Sequence, residues 1–203
     1  YRYLQRDKQR GGDLWKNLRH LRKRRHRRFG QPRWPQGLPR KFIEQRPEVI
    51  NQRKRIGDFE RDLMVGAGRQ GYLMALIDRK TQLVKLVGLK NNKASLIHVE
   101  TVQSLRGLSV KSMTNDNGVE FSSYLKTAKE MKIPIYFSRP YASWERGTVE
   151  NVNKLVRQYF PKKTNLKEIS DEKIKMVETL LNHRPRKKLG FRTPIETNFG
   201  KIG

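Results

Sequence analysis

Two acidic residues of this chain stand where they could do phosphate chemistry. Asp116 lies in "TNDNGVEF" (114–121), after the apolar-polar run "LSVKSM" and before a helix-like stretch, and Glu150 lies in "GTVENVNKLVRQYF" (147–160). On a 3.6-residue wheel Val149, Val152, Val156, Tyr159 and Phe160 form an apolar stripe, and Glu150, Lys154 and Arg157 recur at i, i+4 and i+7 on another face. Each signal alone has a plain reading. Asp-Asn-Gly is an ordinary turn, and a Glu–Lys pair one turn apart adds a few tenths of a kcal/mol to any solvated helix. Together they give a strand-end carboxylate, a helical carboxylate, and two cations spaced for phosphates. A third acid comes from "GDFERDLMVG", where Asp58, Glu60 and Asp62 alternate along one strand and share a face; composition does not choose among them. Three acids buried side by side would be costly, so one is expected at a cation and the others nearer solvent. Carboxylates gathered from separate elements repel unless a cation sits between them. The chain has no cysteine, and oxygen-only donors point to a hard ion, Mg²⁺ or Mn²⁺. Two such ions about 4 Å apart can activate a hydroxyl nucleophile and stabilise the leaving oxygen of a phosphodiester.

The charge balance names the partner class. Lys and Arg number 46 against 19 Asp and Glu, for a formal charge of +27 over 203 residues. Residues 1–55 carry net +15, centred on "LRHLRKRRHRRFGQPRWPQGLPRK", and residues 56–203 carry net +12. Such a run reads as a solvated basic arm, and a polyanion is its natural partner because each neutralised phosphate releases a counterion. A localisation signal is the blander reading. Thiolate zinc sites and disulfides are excluded, and no apolar run reaches the roughly 18 residues that span a bilayer. A soluble chain is expected, and an opening Tyr1 is expected of a piece of a longer one.

The elements that position the acids follow from periodicity. Residues 57–67, 71–81 and 82–89 read as three strands with short Gly-containing connections, an antiparallel meander. A helix over 92–107, a strand over 108–114, a helix over 122–132, a strand over 133–138, and helices over 147–160 and 171–183 complete the order. The order predicts an α/β, ribonuclease-H-like fold with a mixed five-stranded sheet flanked by helices. The division is a basic arm over 1–55 and a catalytic core with a basic C-terminal helix and tail over 56–203.

Several longer stretches carry a specific resemblance. "QRPEVINQRKRIGDFERDLMVG", "ALIDRKTQLVKLVGL", "TNDNGVEF", "PIYFSRPYASWERGTVENVNKLVRQYFPKKTNL" and "LNHRPRKKLGFRTPIE" run in order over roughly 45–197. In this order they resemble the catalytic core of insertion sequence 30 family DDE transposases, relatives of retroviral integrase cores. The chain departs at Phe59, where members usually have Trp, and at Arg61, where they have Gly; the family's N-terminal helix-turn-helix is not evident. The resemblance implies Asp62, Asp116 and Glu150 as catalytic ligands of two Mg²⁺ or Mn²⁺ ions. Glu150 follows Asp116 by 34 positions, the family's spacing, and Asp62 is chosen over Asp58 and Glu60 by its register before the turn into the second strand. Lys154 and Arg157 would hold the DNA backbone, and Asn117 and Asn151 would support the ligands. The implied reaction is cleavage of DNA at element ends and transfer of the 3′ end to target DNA. Element ends and target are double-stranded DNA, joined by a homodimer or higher oligomer in the bacterial cytoplasm at the nucleoid. Two alternatives stay open: a domesticated, non-catalytic DNA-binding module, and a ribonuclease-H-like nuclease that cuts without joining.

Other residues take quieter roles. His98 and His183 lack ligand spacing and read as structural. Trp144 is either a base-stacking platform or a packing anchor. The tail "NHRPRKKLGFRTPIE" offers Arg184, Arg186, Lys187 and Lys188 to DNA along an extended path set by Pro185 and Pro194. For the arm, neutralising Arg24, Arg25, Arg27 and Arg28 should weaken DNA binding alike for all sequences. It should also flatten the slope of log affinity against log salt by up to ~0.9 for each phosphate that is no longer neutralised; an unchanged slope would show that the arm does not touch the backbone.

Overall fold

Strand β3 (Tyr72–Asp78) is the central apolar run, and its side chains leave both faces of the sheet. Leu73, Ala75 and Ile77 enter one core and Met74 and Leu76 the other, as period-2 alternation requires of a strand covered on both sides. The computed structural model describes residues 2–14, 34–139 and 146–200, which fall into two compact units, Tyr1–Arg33 and Trp34–Gly203. In the first, helix α1 (Arg2–Gln9) is followed by a turn in which Asp7 accepts from the Leu14 amide at 3.1 Å. The arginines Arg24, Arg25, Arg27 and Arg28 lie outside the described residues, as does Trp144.

The second unit holds a six-stranded sheet. Its strands are β1 (Lys41–Phe42), β2 (Asp58–Val65), β3, β4 (Val84–Leu89), β5 (Ser112–Asn115) and β6 (Ile135–Phe137), in the order β1-β6-β5-β2-β3-β4. The β2-β3-β4 meander is antiparallel, and β5, β6 and β1 add parallel to it. The sequence pattern gives five of these strands. The sixth, β1, has two residues, too few for any alternation to register, and residues 34–55, grouped above with the arm, belong to this unit. There Ile50 is wholly buried, in helix α2 (Glu48–Asn51). The strand expected over 108–114 is confined to β5, because Gly57 takes up the Lys111 and Ser112 amides before the ladder begins.

Helices cover both faces. On one lie α3 (Ala94–Ser104) and α4 (Tyr124–Met131), packed through Ile97, Tyr124 and the nearby Phe121 onto Phe59, Met74 and Phe137. His98 joins them, its ring 3.1 Å from the Thr127 hydroxyl and 3.2 Å from Glu130. On the other lie α5 (Gly147–Tyr159) and α6 (Asp171–Asn182), whose Val149, Val152, Val156, Ile174, Val177 and Leu181 meet Met64 and Ala75. Helix α6 also closes the exposed edge of β4. Asn182 exchanges two 2.8 Å hydrogen bonds with the Val84 backbone, and Glu178 accepts from the Leu86 amide at 2.8 Å. These bonds occupy part of the ladder that an edge strand would otherwise offer to another chain. A final short helix, α7 (Pro194–Phe199), starts with a Thr193–Glu196 capping box. Among the described residues no helix is long and apolar enough to cross a membrane.

Helix α5 is anchored at both ends. The β2–β3 turn docks on the segment after it through Ala67 N–H to Thr164 O at 2.9 Å and Leu166 N–H to Gln70 O at 3.0 Å. Gly71 has φ +73°, and a Cβ there would lie 2.3 Å from the Lys167 nitrogen, so only glycine allows this approach. The expected apolar stripe needs one correction: Tyr159 is exposed, and Phe160, just beyond the helix, fills the core instead. Phe160→Ala is therefore expected to cost about 3–5 kcal/mol of stability, and Tyr159→Ala within about 0.5 kcal/mol. Urea melts of the two variants check this; equal losses would mean that α5 is seated differently.

Candidate active site

Parallel pairing of β2 with β5 sets Asp58 opposite Ser112 and Glu60 opposite Thr114. Two residues further the same register brings Asp62 and Asp116 to the C-terminal end of β5. Because Asp58, Glu60, Asp62 and Met64 share one face, all four side chains look toward α5. What each acid meets there is different.

Asp58 and Glu60 are fully buried, against the expectation that the acids not at a cation would lie nearer solvent. Their charges are met locally. Asp58 accepts two bonds from the Arg55 guanidinium, at 2.8 and 2.9 Å, and one from the Ser112 hydroxyl at 2.6 Å. Glu60 accepts from the Val149 amide at 2.8 Å and lies 3.4 Å from the Arg79 guanidinium. Asp62 is the partly exposed member of the three. It accepts from Arg146 Nη1 at 2.8 Å and from Asn153 Nδ2 at 2.6 Å.

Arg146 reaches a second carboxylate, with Nη2 3.6 Å from Asp116 Oδ2. One guanidinium thus stands between acids of two strands. Burial works against its charge, but Asp62 and then Asp116 outweigh that and raise its pKa above the ordinary arginine value. Asp116 also accepts from the Gly118 amide at 2.9 Å. Its carboxyl is pushed above the usual range, chiefly by burial and further by Asp62, while Arg146 pulls it back. Glu120 lies near the same acids. Burial raises its pKa, and the charges of Asp116 and Asp62 add to that. Its carboxyl folds over Gly118, where a Cβ would lie 2.4 Å from it, so a side chain at 118 would displace it.

Glu150 is half-buried on the first turn of α5. Its i−4 neighbour is Arg146 and its i+3 neighbour is Asn153, the two side chains that bond Asp62, and such neighbours share a helix face. Glu150 therefore flanks the acid pair without entering it. Among the described residues no group of three His, Cys, Asp or Glu side chains stands close enough to hold a metal ion. The two convergent aspartates do fit a hard divalent cation: they are all-oxygen donors, and a cationic group already sits between them.

The remaining candidates separate. Asn117 accepts from Arg40 Nη1 at 2.7 Å and donates to the Ser138 carbonyl, which fixes the loop after Asp116 to β6. Asn151 and Lys154 are exposed. Arg157 is engaged with backbone carbonyls of Val65, Phe160 and Pro161 at 3.3–3.5 Å, and burial lowers its pKa. Arg186 donates to Leu181 O at 3.0 Å, whereas Arg184, Lys187 and Lys188 are exposed. His183 is bonded to the Thr179 carbonyl at 2.9 Å. Sequence reasoning misses Arg146, Asn153 and Arg61. Spacing to Glu150 could have found the first two. Arg61 faces the opposite side of β2, 1% exposed, donating to Asn115 and Thr101 and lying 4.5 Å over the Phe121 ring. Burial pushes its pKa down to about 9.

Asp116 gives a pH test. A carboxyl whose folded-state pKa is raised contributes stability that is fully present below the ordinary carboxylate value and is lost as pH rises through the raised one. Melts in chelator should therefore show Asp116→Asn gaining on the wild type as pH rises above the ordinary carboxylate range, about pH 4. A constant difference as pH rises would remove burial as the cause.

No protein-family model matches the chain. In sequence it is 39% identical over 199 residues to the transposase for insertion sequence element IS4351 of Bacteroides fragilis, covering 97% of this chain and 61% of that one. To transposase InsI for insertion sequence element IS30A of Escherichia coli (strain K12) it is 34% identical over 190 residues, 89% of this chain and 49% of that one. In structure it is similar to the catalytic core domain of BIV integrase, with TM-score 0.54 and 17% identity, covering 70% of this chain and 92% of that one. At that identity the likeness is one of fold, and the fold is ribonuclease-H-like.

Proposed function

The chain is homologous to transposases of the insertion sequence 30 family, of whose length it spans roughly half to three fifths, and from that premise we propose that its second unit is a DDE-type polynucleotidyl transferase core. The observation that supports this best is the meeting of Asp62 and Asp116, acids of separate strands, at one shared cation. Glu150, on the helix that begins just after that cation, is the third acid. Two Mg²⁺ or Mn²⁺ ions held by these residues would activate the attacking oxygen and stabilise the leaving one.

The chain's own residues do the positioning. Asn153 fixes one oxygen of Asp62 and leaves the carboxylate in a single orientation. The Gly118 amide does the same for Asp116. Lys154, exposed one turn beyond Glu150, is placed to meet a DNA phosphate; Arg157, tied to carbonyls, serves the helix end instead. The substrate is double-stranded DNA. In the first step water attacks a phosphodiester at the element end and the leaving strand departs with a free 3′-hydroxyl. In the second, that hydroxyl attacks a target phosphate, so one phosphodiester forms as another breaks and no protein ester is needed. Joining two ends calls for a dimer or larger assembly on DNA, acting at the nucleoid.

An end-labelled duplex carrying the element terminus, incubated with Mn²⁺, tests the assignment. Asp62→Asn, Asp116→Asn and Glu150→Gln should each abolish nicking and joining with little loss of DNA binding. Asp58→Asn and Glu60→Gln should lose stability but keep measurable nicking, because both acids are enclosed by their own partners. Asn153→Ala should weaken Mn²⁺ binding about 10–100-fold. Nicking by the Asp62 variant with none by the Asp58 variant would move the first ligand two pleats along β2.

A further inference from the structure

Arg146 occupies the position that a metal would take. Its Nη1 is 2.8 Å from Asp62 and its Nη2 3.6 Å from Asp116, and its side chain is 10% exposed. Mg²⁺ binds oxygen ligands at about 2.0–2.1 Å and would need the lone pairs that the guanidinium now uses. The two cations exclude each other.

We propose that Arg146 is an internal counter-cation that holds the acid pair in the absence of metal and must leave it when metal and DNA arrive, so that the two ligands bind cooperatively. The proposal rests on Asp62 and Asp116 being metal ligands. Three observations carry it. The pairing is incomplete: among the described residues Arg146 Nε is buried without a hydrogen-bond partner, and the contact to Asp116 is 3.6 Å, longer than a formed bond. By contrast, Arg55 holds Asp58 with two bonds near 2.8 Å. The charges are unequal too, since one guanidinium leaves two carboxylates with a net negative charge that a divalent ion would cancel. Lastly, Arg146 precedes Gly147, where a Cβ would meet none of the described residues within 4 Å. Packing does not call for glycine there, and the backbone freedom it gives falls beside the residue that has to move.

A displaced guanidinium does not return to water unpaired when DNA is present. Its planar fork matches a phosphate as well as it matches carboxylates. A DNA phosphate beside the acid pair draws Arg146 off and raises metal affinity; metal on the acids frees Arg146 for the phosphate. Linkage makes the two effects equal. The metal-free, DNA-free chain is thereby kept with the repulsion of its acids partly offset and its site closed to ions.

Mn²⁺ binding, read from the electron paramagnetic resonance signal of the free ion, tests this without an activity assay. Wild type, Arg146→Gln and Arg146→Lys are titrated with and without a duplex oligonucleotide. Arg146→Gln should bind Mn²⁺ about tenfold tighter than wild type without DNA, and the tightening that DNA causes in the wild type should vanish. Arg146→Lys, which keeps the charge, should restore weak binding and part of the coupling. Mn²⁺ affinity in Arg146→Gln equal to or below the wild type would overturn the proposal. Asp62→Asn and Asp116→Asn separate the two ideas: if they leave Mn²⁺ binding intact, the metal site itself is wrong, and if they abolish it while Arg146→Gln fails to tighten, only the role of Arg146 falls.

Discussion

Everything at this site follows from the parallel pairing of β2 with β5. Strands in a sheet lie about 4.8 Å apart, so an acid at the same level on each puts two negative charges close enough to oppose folding. The register that sets Glu60 against Thr114 carries Asp62 and Asp116 toward the same end of the pair. The fold therefore needs a cation there before any substrate is considered, and Arg146, the N-cap of helix α5, supplies one. Its dependence on that helix explains why the α5 core is so well anchored, with Val149, Val152 and Val156 all at 1% exposure or less.

The acids one and two pleats below belong to a different layer. Asp58 and Glu60 lie with Arg55 and Arg79 beneath the site, and Arg46 enters from the preceding segment to donate to the Thr114 hydroxyl at 3.2 Å. Burial lowers the pKa of Arg46 to about 10 and lowers that of Arg79 as well. A buried ion pair adds little net stability over apolar packing, but removing one partner leaves an uncompensated charge. Its product is rigidity of orientation: Glu60 grips the Val149 amide, and Val149 precedes Glu150. The layer thus fixes where the first turn of α5 can sit.

Much of this is legible in the sequence, and the failures have physical causes. Element order and type emerge because strands covered on both faces and amphipathic helices carry strong periodicity; β1, two residues long, carries none. The solvent exposure expected for Asp58 and Glu60 fails because spacing shows which acids share a face, not which cations, hydroxyls or amides face them from positions 55, 79, 112 and 149. Tyr159 falls outside the core because it ends α5, and the core position is filled by Phe160 just beyond the helix. Arg146 and Asn153 are within reach of the sequence, since both share a helix face with Glu150, but a polar residue on a helix announces nothing until the opposing strand is in place. Arg61 is a converse case. Its position is visible as a departure from the family pattern, and its partners Asn115, Thr101 and Phe121 emerge only once α3 and β5 meet.

The segment before β2 completes the constraint. Arg40 stacks 4.5 Å over Trp34 and bonds Asn117, next to Asp116, while Arg46 bonds Thr114, two residues before it. Trp34 packs edge-on against Phe137 at 5.1 Å, and Tyr124 against Phe137 at 4.9 Å. These contacts come from positions far apart in the chain, and they converge on the two strand ends between which Asp116 lies. A pull on residues 34–46 is therefore transmitted to β5 and β6 through side chains with defined geometry, not through a slack tether. Because the acid pair is held by one guanidinium with one short contact and one long one, a small shift of the Asp116 loop changes the long contact first. The preceding segment and the loop that carries Asp116 are thus tied together through Asn117 and Thr114.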